Sequence, residues 1–413
     1  LIVREAAAQV VGSFSEHVVP EFLDLHEKVM PCLLNMLEGQ REVAVTSSEH
    51  ALTAEKALFG MSEFAANMDD VDIKPYFEQG LALLATFING AGQKRGVRYQ
   101  ALHCLGTWIN AGDFLAAPHM QGLLQNLFDI IRAPSDRDNQ QVKGQALVCA
   151  GNLAKCCGKE QFPAQALEEF TKFALECLGQ TDSKLELRET AINYFGEISK
   201  VLKSGMAPIF DTVFENVIKS IQNEDGIKAQ TEQKQKAEFS LDSDSDEGED
   251  VVGIDIDTAF IDEKSAAVHC LGNLALNCSA LLLPKLETAV NVLLDVGFYL
   301  HENIRYHVCL TLTQTAFGLL RLFTDKADSD DKHVWSAGLP AKETLPSQVN
   351  EFLGSVLFPH FEKLLDSEED KEVVEKVLEC VRDLCDEDRR SRLIRIDTEN
   401  HRAEIAPGII VET

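Results

Sequence analysis

The sequence lacks any run of 18 or more apolar residues, so no segment of its 413 residues has the length and hydrophobicity of a membrane-spanning helix. It has 11 cysteines and no C-x-x-C; the closest pairs are Cys156-Cys157 and Cys380 with Cys385. A zinc site needs clustered thiolates at short spacing, so no metal ligands are expected. Cys32, Cys104, Cys149, Cys177, Cys270 and Cys309 lie inside apolar runs, and no secretory signal precedes them. They are expected to be reduced, buried thiols of a reducing compartment. Also missing are the phosphate loops G-x-x-x-x-G-K-[ST] and G-x-G-x-x-G, the nucleophile turn G-x-S-x-G and the zinc motif H-E-x-x-H. The 11 histidines are spread singly, and His103 and His269 sit at one repeat position, which a repeat explains better than a site does. No catalytic residue, cofactor or enzymatic activity is expected. Aromatic residues are 7%, light for a β-sandwich, and no strand-like alternation of useful length occurs. Bases are few as well: 38 Lys and Arg stand against 67 Asp and Glu, a net charge of −29. That balance repels nucleic-acid phosphate and anionic lipid and attracts basic proteins, so neither nucleic acid nor membrane is expected as a partner.

What is present is a repeat. Glycines at 12, 60, 106, 151, 196 and 272 stand 48, 46, 45, 45 and 76 residues apart. Eight positions before five of them is a base: Arg4, Arg98, Lys143, Arg188 and Lys264. Leu52 takes that place before Gly60, and Arg305 leads a seventh segment with Thr313 in the glycine slot. Twelve residues after four of the glycines comes a proline: Pro118, Pro163, Pro208 and Pro284. A period of about 45 falls among HEAT and armadillo units.

Each period holds two helices. The first starts near the proline, whose missing N–H costs nothing in an opening turn. From Pro118 the apolar residues Leu123, Leu124, Leu127, Ile130 and Ile131 form one stripe, and from Pro208 so do Phe210, Val213, Phe214, Val217, Ile218 and Ile221. The second helix carries the base-to-glycine segment, and its small residues allow close approach of neighbours. The recurrent base is expected to bridge to a carbonyl or an acid of the adjoining turn, such as Asp136 or Asp182. One pair cannot bury its own apolar face, so the pairs must stack. The expected fold is all-α, an α-α superhelix (HEAT-repeat solenoid) of about seven helix pairs. The chain opens within a second helix, Leu1 to Ser15, which reads as a piece cut from a longer array.

The long interval carries an insertion at 223–262, between the two helices of one repeat, with 13 acids and 3 lysines. From Glu238 to Asp257 there are nine acids and no base. Such a segment has too little apolar content to offset its ordering entropy and is expected to be disordered. Ser243 and Ser245, set among acids, are candidate phosphorylation sites. The array then divides into repeats over 1–222, the acidic loop over 223–262, and repeats over 263–386 with an irregular stretch at 324–346. That stretch contains Trp335, Pro340 and Pro346. Residues 387–413 give no structural reading.

The V-R-x-x-A-x-x-x-L-G frame with its following proline resembles HEAT repeats of the karyopherin-β (importin-β) family. More specific are Val3-Arg4-Glu5-Ala6-Ala7 followed by Val29-Met30-Pro31-Cys32-Leu33-Leu34, Asp255-Ile256-Asp257-Thr258-Ala259-Phe260-Ile261-Asp262-Glu263-Lys264, and Leu271-Gly272-Asn273-Leu274-Ala275 with Asn277-Cys278-Ser279 after it. The resemblance covers about 1–386 and includes an acidic loop inside one central repeat. It implies a central fragment of a monomeric nuclear import receptor of the cytoplasm, nucleus and nuclear pore. Basic cargo such as histones or ribosomal proteins would lie on an acidic concave face lined by second helices and leave when the GTP form of Ran binds. Phe-Gly nucleoporins would dock between first helices. Asp242, Asp244, Asp246, Glu247, Glu249, Asp250, Asp255 and Asp257 of the loop are then the expected cargo or Ran contacts. Trp108, Asn152, Glu197 and Asn273 are the concave-face candidates, with Trp108 as readily a core residue. A HEAT scaffold subunit outside transport, of phosphatase- or chromosome-associated type, is the alternative; it needs no polyanionic loop inside a helix pair.

Overall fold

The structure, a computed structural model, describes residues 2–17, 25–90, 92–134, 139–179, 185–224, 227–231, 251–256, 258–324, 339, 345–385, 395–397, 402–406 and 409–412. The fold is all-α in its body, built of helix pairs, in two compact units, Leu1–Leu202 and Lys203–Thr413.

In the first unit α1 (Ile2–His17) is followed by α2 (His26–Gln40) with α3 (Ser48–Ala66), the short α4 (Asp70–Ile73), and α5 (Phe77–Asn89) with α6 (Arg95–Gly112). Then come α7 (Met120–Arg132) with α8 (Gln140–Gln161) and α9 (Ala164–Leu178) with α10 (Leu185–Leu202). The second helices α1, α3, α6, α8 and α10 stack in a row, each on the next, and α2, α5, α7 and α9 each pack on their own partner. The second unit holds α11 (Ala207–Gln222) with α12 (Thr258–Asn277), the short α13 (Ser279–Leu282), and α14 (Leu286–Val296) with α15 (Glu302–Phe323). It continues with α16 (Ser347–Phe352), which runs through a π-helical turn into α17 (Phe358–Leu365), and then α18 (Lys371–Leu384). Its row is α12, α15 and α18. Seven pairs and α1 are thus present among the described residues. The expected stripes are the buried ones: Leu123, Leu124, Leu127, Ile130 and Ile131 on α7, and Phe210, Val213, Phe214, Val217, Ile218 and Ile221 on α11.

From α6 onward the recurrent base has one task. Arg98 Nε donates to the Ile88 carbonyl at 3.1 Å, Lys143 Nζ to Ile131 at 3.0 Å, and Arg188 Nη1 to Leu178 at 2.5 Å. Lys264 Nζ donates to Ile221, and Arg305 Nη1 to Tyr299 and Leu300 at 2.7 and 3.0 Å. Each acceptor lies at or just past the end of the preceding first helix, where four carbonyls have no intrahelical partner and the helix dipole is negative. A carbonyl is therefore the common acceptor. Asp136 and Asp182 lie outside the described residues. Arg305 adds a carboxylate, pairing through Nε and Nη2 with Glu368 at 2.7 and 2.8 Å. Where Leu52 replaces the base, the buried Gln40 at the end of α2 takes a 2.7 Å bond with His50 Nδ1 instead.

Along the rows, side chains of one second helix bond carbonyls of the one before: Cys149 Sγ to Leu102 at 3.1 Å, Asn152 Nδ2 to Gly106 at 3.2 Å, and Thr311 Oγ1 to Val268 at 2.9 Å. Such approach needs small residues at the contact. A Cβ on Gly60 would stand 2.8 Å from the Ala8 oxygen, and one on Gly318 would press into the Ala275 carbonyl.

The structure adds strands where the sequence shows no useful alternation. β1 (Ile227–Thr231) pairs antiparallel with β2 (Val251–Ile256), so the ends of the acidic insertion carry a ladder; 232–250, including Ser243 and Ser245, lie outside the described residues. Within 387–413, β3 (Arg395–Asp397), β4 (Arg402–Ala406) and β5 (Ile409–Glu412) form an antiparallel sheet in that order. In the irregular stretch the Leu339 N–H caps the Leu384 carbonyl at the end of α18, 3.0 Å away; Trp335 and Pro340 lie outside the described residues.

Two glycine substitutions should separate close approach from simple helix propensity. Gly318→Ala, which crowds the Ala275 carbonyl, is expected to lower stability by about 1–3 kcal/mol. Gly122→Ala, on α7 with open space around it, should raise stability by about 0.5–1 kcal/mol. Urea unfolding of both variants against the parent checks the pair.

Candidate binding surface

The second-helix rows were the expected cargo wall, and they are not acidic. α1, α3, α6, α8, α10, α12, α15 and α18 together carry 16 acids and 15 bases, so nearly all of the −29 lies elsewhere. Along their length these helices are therefore charge-balanced. Much of its polarity is spent on bonds from helix to helix. Ser62 Oγ meets His103 Nδ1 at 3.0 Å and Thr107 Oγ1 at 3.1 Å. Lys155 Nζ donates to Asn110 Oδ1 at 2.7 Å and lies 3.7 Å from Glu197 Oε2.

Three of the four concave-face candidates are interior. Trp108 is fully buried, stacks near Phe77 and donates Nε1–H to the Phe77 carbonyl at 3.2 Å, so it is a core side chain and not an exposed anchor. Asn152 is buried and bonds the Gly106 carbonyl, joining α8 to α6. Asn273 is buried, with Nδ2 3.5 Å from His269 Nε2. Glu197 alone reaches the surface, and there Lys200 at 2.5 Å and Lys155 offset its charge.

The root of the insertion is closed by its flanking helices. Ser220 Oγ donates to Glu263 Oε1 at 2.6 Å, and the Lys264 ammonium lies 5.2 Å from the Phe260 ring centre and 5.0 Å from that of Tyr299. Burial pushes Lys264 down to about 8, against nearby Glu224 and Glu263; the two ring faces and the carbonyl support its charged form. Sequence spacing marked Lys264 but not its partners, which come from the end of α11, from α12 itself and from the turn after α14. Of the loop acids, Asp255 stands on β2 opposite Lys228 of β1. Asp242, Asp244, Asp246, Glu247, Glu249, Asp250 and Asp257 lie outside the described residues.

A groove of about 460 Å³ runs beside α11 and α14, lined by Phe214, Ile218, Lys219, Gln222 and Thr288 among others. The stripe pattern assigned Phe214 and Ile218 to the core, and their rims form this groove as well.

Among the described residues no group of three or more His, Cys, Asp or Glu could hold a metal ion, and no single helix is long and apolar enough to cross a membrane. Nine of the 11 cysteines are buried, Cys385 is half-buried, and none forms a disulfide. Cys32 departs from expectation and is exposed, because it falls on the outer side of α2. Burial raises the Cys149, Cys156 and Cys278 thiols to about 12, which keeps them unreactive.

No family model matches the chain. Over 320 residues it is 23% identical to Importin-4 of Homo sapiens, covering 74% of this chain and 28% of that protein. It is 22% identical to Importin subunit beta-3 of Saccharomyces cerevisiae over 315 residues, covering 73% of this chain and 27% of that protein. The crystal structure of Kap121p superposes with a TM-score of 0.61 at 17% identity, covering 92% of this chain and 34% of that one. Kap121p has also been solved bound to Ste12p and bound to Nup53p. The chain thus spans just over a quarter of the length of the curated relatives it matches. The resemblance to the karyopherin-β family, and the HEAT-type helical fold it implied, are borne out by these likenesses.

The buried His360 and the half-buried His307 make the second unit sensitive to acid. Burial holds His307 at about 4, with His269 and Lys376 adding to the effect, and burial followed by Lys363 holds His360 at about 4. Both are neutral in the fold and titrate near 6.5 when unfolded, so the unfolded chain binds more protons between those values. Their contribution is complete above pH 6.5 and is lost as pH falls toward 4, on the order of 2 kcal/mol each. Unfolding midpoints measured across that window should fall with pH, and His307→Gln with His360→Leu should flatten the slope.

Proposed function

We propose that the chain is part of a nuclear transport receptor of karyopherin-β type, a binding protein and not an enzyme, working between cytoplasm and nucleus. The observation that carries the reading is the place of the polyanion: it leaves the end of α11 and returns at the start of α12, inside one helix pair of a HEAT array. A scaffold needs no such element there.

The charge distribution supports a specific division of labour. The second-helix rows are balanced, so attraction of basic cargo such as histones or ribosomal proteins falls to the insertion and to acids outside those rows. Asp242, Asp244, Asp246, Glu247, Glu249, Asp250, Asp255 and Asp257 then act as a tethered counter-charge rather than as part of a fixed wall. The second-helix faces contribute hydrogen bonds and shape. Ran-GTP displaces the cargo. The groove beside Phe214 and Ile218 lies between first helices and has the size to take an aromatic side chain, in keeping with docking of Phe-Gly nucleoporin segments.

Two measurements test this. Histone captured by the full-length receptor should be lost on adding Ran-GTP; capture indifferent to Ran-GTP would favour the scaffold alternative. Removing Ser240 to Asp250, which leaves the β1–β2 ladder in place, should weaken histone binding about tenfold or more and flatten its fall with salt, while leaving thermal unfolding unchanged. Unaltered affinity and salt slope after the deletion would place the attraction elsewhere.

A further inference from the structure

The connectors that lead from each second helix to the next first helix carry large apolar side chains to the surface in the first unit. Leu25 stands before α2, Val71 lies on α4, and Phe114 lies on the 3-10 turn Asp113–His119. They are 38%, 70% and 66% exposed. One exposed apolar residue is ordinary. One on each of three successive connectors is a line, because the connectors are tied together. His26, next to Leu25, has Nε2 3.9 Å from Asp72 and Nδ1 3.4 Å from the Tyr76 hydroxyl, beside Val71. On the next step His119 Nε2 meets Glu78 at 2.9 Å, and its ring lies 6.3 Å from that of Phe77. Leu25, Val71 and Phe114 therefore belong to one continuous edge.

The same edge is acidic. Glu27 follows Leu25, Asp69, Asp70 and Asp72 surround Val71, and Asp113 precedes Phe114, with Lys28 and Lys74 as the near bases. Asp69 is committed to capping α4, accepting from the N–H groups of Val71 and Asp72 at 2.9 Å, which fixes Val71 in an opening turn. Asp70 is exposed and free of that task.

Stacked helices stand about 8–10 Å apart, so the apolar side chains should recur at roughly that spacing. Two turns of an α-helix advance about 10.5 Å and return to nearly the same face. Three residues of an extended strand cover about 10 Å but end on the opposite face. We infer that this edge of the first unit docks a basic amphipathic helix, its apolar stripe on Leu25, Val71 and Phe114 and its Lys or Arg residues toward Asp70, Asp72 and Asp113. The inference is independent of the transport reading: it uses another surface and no part of the insertion.

The probe is a fluorescent peptide of about 18 residues, made of Leu and Lys with the leucines at helical spacing, titrated by anisotropy against the full chain. Val71→Ser combined with Phe114→Ser should weaken binding about tenfold, while Leu283→Ser, on a connector of the second unit, should leave it unchanged. Asp70→Lys should weaken it separately and reduce its salt dependence. A peptide of the same composition interrupted by proline should bind poorly. Equal affinity for the parent and the Val71/Phe114 variant, an equal loss in Leu283→Ser, or equal binding of the proline peptide would each overturn the inference. The substituted side chains are exposed, so thermal unfolding should match the parent.

Discussion

The fold depends on one junction, a cation at the start of each second helix donating into the carbonyls that end the first. A stack of helix pairs brings the ends of its first helices against neighbours, where their last carbonyls would otherwise meet poor partners. Arg98, Lys143, Arg188, Lys264 and Arg305 answer this with the same bond. The bond satisfies an acceptor, opposes the negative end of a dipole and sets the angle between the two helices. Arg98 and Arg188 each reach back ten residues, and so does the second bond of Lys143, to Ala133. The Lys264 bond spans 43 residues, yet it is the same bond. The acidic insertion therefore leaves the junction intact and loops out from it, which explains how so polar a segment can interrupt a packed array.

Structure and binding consequently draw on different charges. The bases of the junctions are buried or half-buried, and the second-helix rows are nearly neutral. Of the four expected contacts on those rows, three are interior: Trp108 fills the core, Asn152 joins α8 to α6, and Asn273 is buried beside His269 of its own helix. In the proposed function, the attraction for basic proteins falls to acids outside those rows. That separation lets the array keep its packing while the insertion varies.

The fold was legible in the sequence because its cause is local and periodic. The base, glycine and proline each answer one requirement, a helix end, a close approach and an opening turn, and each requirement returns about every 45 residues. The charge of the candidate surface was not legible from the net value, because a total does not say which helices carry it; counting along α6 and α8, where bases outnumber acids, would have shown it. Trp108 was ambiguous because an indole serves a core and an interface equally well, and only the Phe77 carbonyl decides. The strands were missed because they are three to six residues long and sit in a polar insertion and beyond the last repeat.

The junction is tested most directly by replacing each cation with methionine, which keeps length and apolar stem but cannot donate. Arg98→Met, Lys143→Met, Arg188→Met, Lys264→Met and Arg305→Met would be unfolded singly in urea. Each should lose about 1–3 kcal/mol, with Arg305→Met the largest because it also strands the nearly buried Glu368 carboxylate. Five variants that unfold with the parent would contradict the account.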